Sequence, residues 1–324
     1  MRTALITGIA GQDGTYLARS LLGDGFRVVG TVRGPVPGLG HRNAYLDGVE
    51  FRCVDLLDAA AMTDLLAEVE PDEVYNLAAV SSVGLSWREP ERTTAVNQQS
   101  VEVLVAALLA YRNSTGAEVR FFQASSAEVG GQSPYAQAKA AAEQVVLDAR
   151  DRHGLHACFA RLHVHESPLR PIGFVSRKIT HGAAAIAAGR TDHLSLGNLD
   201  VVRDWGFAGD YVEAMRLMVA REVPVDLPIG TGRPHQLAEF VACAFTAAGL
   251  GAVEPYLRQD PALLRPADTP VLVADPVPAA EALGWRAQTD FTDLIAHLVR
   301  VDVARLRTGC AESPEYLFED RAMT

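Results

Sequence analysis

Six short, almost wholly apolar runs punctuate the first half of this 324-residue chain: TALIT (Thr3–Thr7), RVVGTV (Arg27–Val32), FRCV (Phe51–Val54), EVYNLA (Glu73–Ala78), VRFFQA (Val119–Ala124) and ACFARL (Ala157–Leu162). Runs this short and this apolar suit parallel strands covered on both faces. Between them stand helical patterns: TYLARSLLGDG, AMTDLLAEV ahead of Pro71, and the long TTAVNQQSVEVLVAALLAYR. Strand and helix in alternation demand right-handed crossovers, which predicts an α/β fold with a Rossmann-type doubly wound parallel sheet. After Leu162 the rhythm breaks at Pro168 and Pro171, and AEFVACAFTAAGL and FTDLIAHLVRVDVARL read as amphipathic helices of a smaller lobe. The expected division is a Rossmann domain over 1–165, with later segments returning to it, and a C-terminal lobe over 166–324. The stretch Asp260–Pro278 reads as an ordered surface loop.

Charge and cysteine usage exclude several roles. With 40 acidic against 29 basic residues the formal net charge is -11, and no local cluster of cations offers a face for nucleic acid. The opening MRTALITGIAG is too short in its apolar part for a signal peptide and runs straight into a glycine turn. No segment has the apolar length to span a bilayer, so no membrane partner is expected. Cys53, Cys158, Cys243 and Cys310 are far apart and form no C-x-x-C pair, as small buried residues of a reducing, cytoplasmic compartment would be. His153, His156, His163 and His165 alternate along HGLHACFARLHVH, but no carboxylate or cysteine cluster completes a metal site, and no metal is expected.

In LITGIAGQDGTYL, Gly8, Gly11 and Gly14 follow a strand and open a helix, with Gln12 and Asp13 inside the turn. Glycines there permit a tight turn and let helix N-terminal amides approach a pyrophosphate, which predicts a dinucleotide site. The end of the second strand selects the cofactor. An acid would bind the ribose hydroxyl of NAD, whereas VVGTVRG ends in Arg33, which favours the extra phosphate of NADP.

The stretch QASSAEVGGQSPYAQAK sets Ser126 and Glu128 shortly before Tyr135 and Lys139. Tyr135 and Lys139 stand four residues apart and share one face of a helix. A free phenol titrates near 10 and is a poor base at neutral pH; an adjacent ammonium and a positive nicotinamide favour its phenolate. Tyr135 is therefore the expected base for a substrate hydroxyl during hydride transfer. Plain alcohol oxidation leaves Glu128 without a task.

Taken together, TGIAGQDGTYL, DEVYNLAAVSSV, QASSAE, SPYAQAK, VHESP, FVSRKIT, LGNLDVVRDWGFAGDYVEAM and RPADTPVLVADPVPAAEALGW resemble the extended short-chain dehydrogenase/reductase superfamily and, within it, the GDP-mannose 4,6-dehydratases. The resemblance implies oxidation at carbon 4 of a hexose by Tyr135, abstraction of the carbon 5 hydrogen by Glu128, and loss of water from carbon 6 with help from Glu128 or Ser126. Hydride then returns to carbon 6. It further implies cofactor contacts at Asp55, Leu56, Leu77, Ala78, Ala79, Ser81, His165 and Arg170, besides the glycine turn, Tyr135 and Lys139. Substrate contacts are implied at Ser81, Ser126, Glu128, Lys178, Arg203 and Arg265, and so is a homodimer or homotetramer. The long apolar-faced helices around Val101–Tyr111 and Ala140–Leu147 are the expected surfaces for it. Two departures stand out. Six residues separate Glu128 from Tyr135 where the family has a longer connection, and Val164 stands where the family has an asparagine. An epimerase, a reductase, a 5,6-dehydratase or a non-catalytic NADP-binding sensor would share much of this pattern.

Overall fold

The computed structural model describes residues 1–34, 44–264 and 269–317. Strands β1 (Thr3–Thr7), β2 (Arg27–Val32), β3 (Glu50–Cys53), β4 (Glu73–Asn76), β5 (Arg120–Ser126) and β6 (His156–Leu162) join Leu227–Ile229 in a seven-stranded parallel sheet. The spatial order is β3-β2-β1-β4-β5-β6 followed by Leu227–Ile229. From β1 the chain steps outward to β2 and β3, then returns to the other side of β1 to lay down β4. That reversal opens a crevice at the carboxyl ends of β1 and β4, where doubly wound sheets bind ligands.

Helices α1 (Gln12–Gly23), α2 (Ala59–Val69), α3 (Val83–Ser86), α4 (Pro90–Thr94), α5 (Ser100–Thr115) and α6 (Pro134–His153) lie among these strands in chain order. Their ends follow local chemistry. The Asp58 carboxylate accepts from Ala60 N and Ala61 N, both at 3.0 Å, to start α2. Ser133 Oγ accepts from Ala136 N at 3.1 Å to start α6, with Pro134 in the first turn, and Gly154 ends it in the left-handed region. Leu5, Val29, Val74 and Phe121 of the strands pack with Leu66 of α2, Leu104 and Leu108 of α5, and Val146 of α6 in one core. Most apolar residues of Val101–Tyr111 enter this core, leaving Val103 and Leu109, with Val145 and Leu147 of α6, only partly buried.

Four elements differ from the sequence expectation. The run TTAVNQQSVEVLVAALLAYR is not one helix: a π turn over Ala95–Gln99 separates α4 from α5. Strand β4 stops at Asn76 rather than Ala78, and β5 runs on to Ser126. The seventh strand was hidden because it is three residues long with Pro228 at its centre, which only a sheet edge tolerates.

Two compact units partition the chain. Met1–Leu162, Tyr211–Ile229 and Pro276–Trp285 form the first; His163–Asp210, Gly230–Asp275 and Arg286–Thr324 form the second. In the second, the strand Val202–Asp204 pairs with Pro234–Gln236 antiparallel and Val271–Leu272 parallel. The stretch expected as a loop over Asp260–Pro278 thus contributes a strand, besides a short turn of helix at Pro261–Leu263. Helices Val175–Ala187, Leu237–Ala247 and Phe291–Thr308 pack on one another, and the buried Asp302 accepts from Arg177 Nε at 3.0 Å and Thr180 Oγ1 at 2.7 Å. Among the described residues no helix is long and apolar enough to cross a membrane.

Candidate active site

The glycine turn closes the carboxyl end of β1. Gly8 has φ +71°, and a Cβ there would lie 2.7 Å from Ala78 N, the backbone that leaves β4. A Cβ on Gly14 would lie 2.5 Å from Gly8 O. Both positions therefore admit only glycine at this backbone spacing. Gly11 N donates to Gly8 O at 2.9 Å and no side chain caps the first turn of α1, the arrangement that receives an anionic group at a helix N-terminus. These residues fit a dinucleotide pyrophosphate, since Gly8 and Gly14 keep the turn tight and the first-turn N–H groups of α1 carry no side-chain cap.

The other residues expected on this side sit where strands end. Gln12 is buried and its Nε2 donates to Asp13 Oδ1 at 3.2 Å. Arg33 is exposed just beyond β2, and Asp55 is exposed beyond β3 with its carboxylate accepting from Leu57 N at 3.0 Å. Leu56 follows it. Leu77, Ala78 and Ala79 are half-buried and Ser81 exposed in the segment after β4. Asn97 fixes that segment: its Oδ1 accepts from Val80 N at 2.8 Å and its Nδ2 donates to Val80 O at 3.0 Å. Asn97 lies in the π turn, which identifies the turn as the device that brings a buried amide to this loop.

Strand β5 and helix α6 supply the reactive groups. Ser126 is buried at the last residue of β5, and its Oγ accepts from Glu128 N at 3.2 Å. Glu128 is half-buried; the turn after it closes by Gly131 N donating to Glu128 O at 2.9 Å, with Gly130 at φ +97°. The short connection is thus a glycine turn leading to the Ser133 cap. At the start of α6, Tyr135 and Lys139 are both buried, with Lys139 Nζ 5.9 Å from the Tyr135 ring centroid. Lys139 Nζ donates to Ala124 O at 2.8 Å. Burial pulls its pKa down to about 8, against the opposing charges of Asp13 and Glu143. An amine held near that value keeps a proton at neutral pH yet grips it loosely.

Lys139 and Lys178 are the chain's two lysines, against 27 arginines. A chain that meets nearly every other need for a cation with arginine keeps a compact, titratable ammonium at these positions. Glu143, missed in the sequence, stands one further turn along α6. It accepts from Ser125 Oγ at 2.6 Å and from Arg161 Nε and Nη2 at 2.9 and 2.7 Å, tying α6 to β5 and β6 beneath the reactive groups. Its signal was the four-residue recurrence Tyr135, Lys139, Glu143 within an alanine-rich run.

The remaining expected residues belong to the second unit. His165 is buried with Nδ1 2.7 Å from His163 O. Arg170 lies 3.3 Å from Glu166 and stacks 3.8 Å over the Phe174 ring. Lys178 is half-buried on the helix Val175–Ala187. Arg203 is buried and its Nη1 donates to Val202 O at 2.9 Å and Thr269 O at 2.8 Å. Beside it, the buried Asp204 accepts from Thr231 N, Thr231 Oγ1 and Gly232 N at 2.9, 2.6 and 2.8 Å, fixing the turn after Ile229. Arg265 lies outside the described residues. Among the described residues no three His, Cys, Asp or Glu side chains gather as metal ligands.

A doubly wound sheet with a glycine turn after β1, a serine closing β5, and a tyrosine and lysine one turn apart on the next helix define an extended short-chain dehydrogenase/reductase. The family model described as GDP-mannose 4,6 dehydratase matches residues 5–298, and the chain belongs to that family. It is 38% identical over 325 residues to GDP-mannose 4,6 dehydratase 2 of Arabidopsis thaliana, covering 93% of this chain and 87% of that protein. To GDP-mannose 4,6-dehydratase of Vibrio cholerae serotype O1 it is 34% identical, covering 95% of each. Among solved structures it resembles the UDP-glucose 4-epimerase of Thermus thermophilus in complex with NAD, with a TM-score of 0.78, 25% identity, and coverage of 95% of this chain and 100% of that one.

Proposed function

We propose that this chain is an NADP-dependent nucleotide-sugar 4,6-dehydratase that converts GDP-mannose to its 4-keto-6-deoxy product. Membership of the dehydratase family together with Glu128 directly after the Ser126 end of β5 carries the reading, because an alcohol dehydrogenase needs Tyr135 and Lys139 but not that carboxylate. The glycine turn and Leu77–Ser81 hold the dinucleotide on the first unit, and Arg33, with no acid at the end of β2, favours the phosphorylated form. When bound there, the nicotinamide would supply the acceptor for the carbon 4 hydride and the donor for carbon 6. His165 and Arg170 are assigned to the cofactor, and Lys178, Arg203 and Arg265 to the nucleotide diphosphate, where cations match phosphate oxygens.

The chain's own residues move the protons. Tyr135 Oη, favoured as phenolate by the Lys139 ammonium, takes the proton of the carbon 4 hydroxyl. Ser126 Oγ donates a hydrogen bond to the sugar oxygen there. The ketone so formed acidifies the carbon 5 hydrogen, and the Glu128 carboxylate removes it as a proton. That same proton, on Glu128 or passed through Ser126, then reaches the carbon 6 hydroxyl as it leaves as water. Carbon 5 regains a proton as hydride returns to carbon 6, and Tyr135 gives up the proton it took, so the net change is the loss of one water. The four cysteines are unpaired; burial drives the Cys158 thiol up to about 12, whereas Cys53 and Cys310 are exposed rather than buried as expected, and exposed free thiols suit a reducing cytoplasm. The partly buried Val103, Leu109, Val145 and Leu147 are the proposed contact between copies in a homodimer or homotetramer.

Incubation with GDP-mannose deuterated at carbon 4 tests the assignment. The expected product has lost one water and carries deuterium on carbon 6. A new stereoisomer of unchanged mass with deuterium still on carbon 4 would instead make this chain an epimerase-like enzyme, a chemistry that shares the first step, and unreacted substrate would refute both.

A further inference from the structure

Three buried side chains that the mechanism does not use form a single directed row beneath the sheet's crevice. Ala78 N donates to Thr7 Oγ1 at 3.2 Å, and Thr7 Oγ1 donates in turn to Asn76 Oδ1. Asn76 Nδ2 donates to Gln123 Oε1 at 2.7 Å, and Gln123 Nε2 donates to Ala124 O at 2.8 Å. Thr7, Asn76 and Gln123 are all essentially without solvent exposure, and they stand on β1, β4 and β5. Every donor points the same way, towards Ala124 O. That oxygen is also the acceptor for Lys139 Nζ, at 2.8 Å.

We propose that Thr7, Asn76 and Gln123 act as positioning residues that compete with the Lys139 ammonium for the Ala124 carbonyl and so set how tightly its proton is held. In a chain of hydrogen bonds each donor polarises the next, which makes the last N–H a stronger claimant on a shared oxygen. The Gln123 amide thus draws density from the carbonyl that accepts from the buried ammonium. The row begins at Ala78, which packs against Gly8, so the same bonds join the dinucleotide turn to the amine. The groups facing Lys139 besides this row are Asp13 on α1 and Glu143 and Tyr135 on α6. Both carboxylates favour its charged form, which leaves burial and the shared acceptor as the influences that weaken it.

This inference rests on Lys139 serving Tyr135, and the two can be tested apart. Protein carrying carbon-13 at the lysine ε carbon gives two side-chain signals, one for each lysine, and Lys178→Arg assigns them. The titration of the Lys139 signal is followed in the substrate-free protein, so it does not depend on turnover. Gln123→Met keeps the volume and removes the competing donor; the Lys139 midpoint is expected to rise by about half a pH unit to one unit. Thr7→Val cuts the row at its far end and is expected to move the midpoint in the same direction by less. An unmoved or lowered midpoint in Gln123→Met overturns the proposal, as does a rise there with none in Thr7→Val. Should Gln123→Met fail to give a folded spectrum, Thr7→Val decides alone: a rise supports the row and no rise overturns it. Turnover of Tyr135→Phe separately tests the role of the phenol.

Discussion

Replacing Lys139 by methionine is expected to stabilise the substrate-free protein at neutral pH while ending turnover. Only 3% of Lys139 is exposed, and burial lowers its pKa from 10.5 to about 8 despite Asp13 and Glu143. At about 1.4 kcal/mol per pH unit, keeping this amine charged inside the fold costs about 3 kcal/mol at neutral pH. Methionine is similar in length and carries no charge. Its introduction removes one hydrogen bond, worth about 1–2 kcal/mol, while the Ala124 carbonyl retains the Gln123 amide as donor. The net gain is about 1–2 kcal/mol. The sign with pH follows from the folded value lying below the unfolded one. Between about pH 8 and 10.5 the unfolded chain binds more protons, so wild-type stability rises across that window. The advantage of Lys139→Met is therefore full below pH 8 and fades towards 10.5. Urea denaturation of both proteins at about pH 7 and about pH 9.5 measures it. A variant less stable than wild type at neutral pH, or a gap that does not change between the two conditions, would refute the reasoning.

Glu128→Gln is expected to lower dehydration by about 10²- to 10⁴-fold while the first oxidation persists, so near-ultraviolet absorbance of reduced nicotinamide builds up on adding GDP-mannose. Gly14→Ala places a Cβ 2.5 Å from Gly8 O and 2.8 Å from Ile9 Cα; thermal melts should show a loss of about 1–3 kcal/mol, and calorimetry a weaker affinity for NADPH. Burial holds His297 down at about 4, with Nε2 2.9 Å from Tyr316 O. The unfolded chain takes up that proton near pH 6.5, so stability present above this value is lost as pH falls towards 4, by up to about 3 kcal/mol. His297→Gln, which keeps a donor for Tyr316 O, is expected to flatten that acid limb in pH-dependent melts.

The sheet was legible because its strands are buried on both faces and leave continuous apolar runs, as in Thr3–Thr7 and Arg27–Val32. The glycine turn and the Tyr135–Lys139 spacing were legible because each is local, with all its parts within one turn or one helix. What stayed hidden depends on partners distant in the chain. Asn76 and Gln123 are 47 residues apart, and Thr7 and Asn76 are 69 apart. Nothing in either neighbourhood says which amide faces which. Asn97 illustrates the same limit: three successive amides, Asn97 to Gln99, interrupt an apolar helix, but only the π turn aims one of them at Val80.

The scarcity of lysine has a practical corollary. Amine-reactive esters find the Lys139 side chain enclosed, which leaves Lys178 as the side-chain amine within their reach. Side-chain acylation should therefore be close to single-site, and with the α-amine of Met1 blocked beforehand a resin coupled through Lys178 would present every molecule in one orientation. If a nucleotide diphosphate rests against Lys178, shielding of that one amine becomes a mass-spectrometric gauge of occupancy that needs no catalysis.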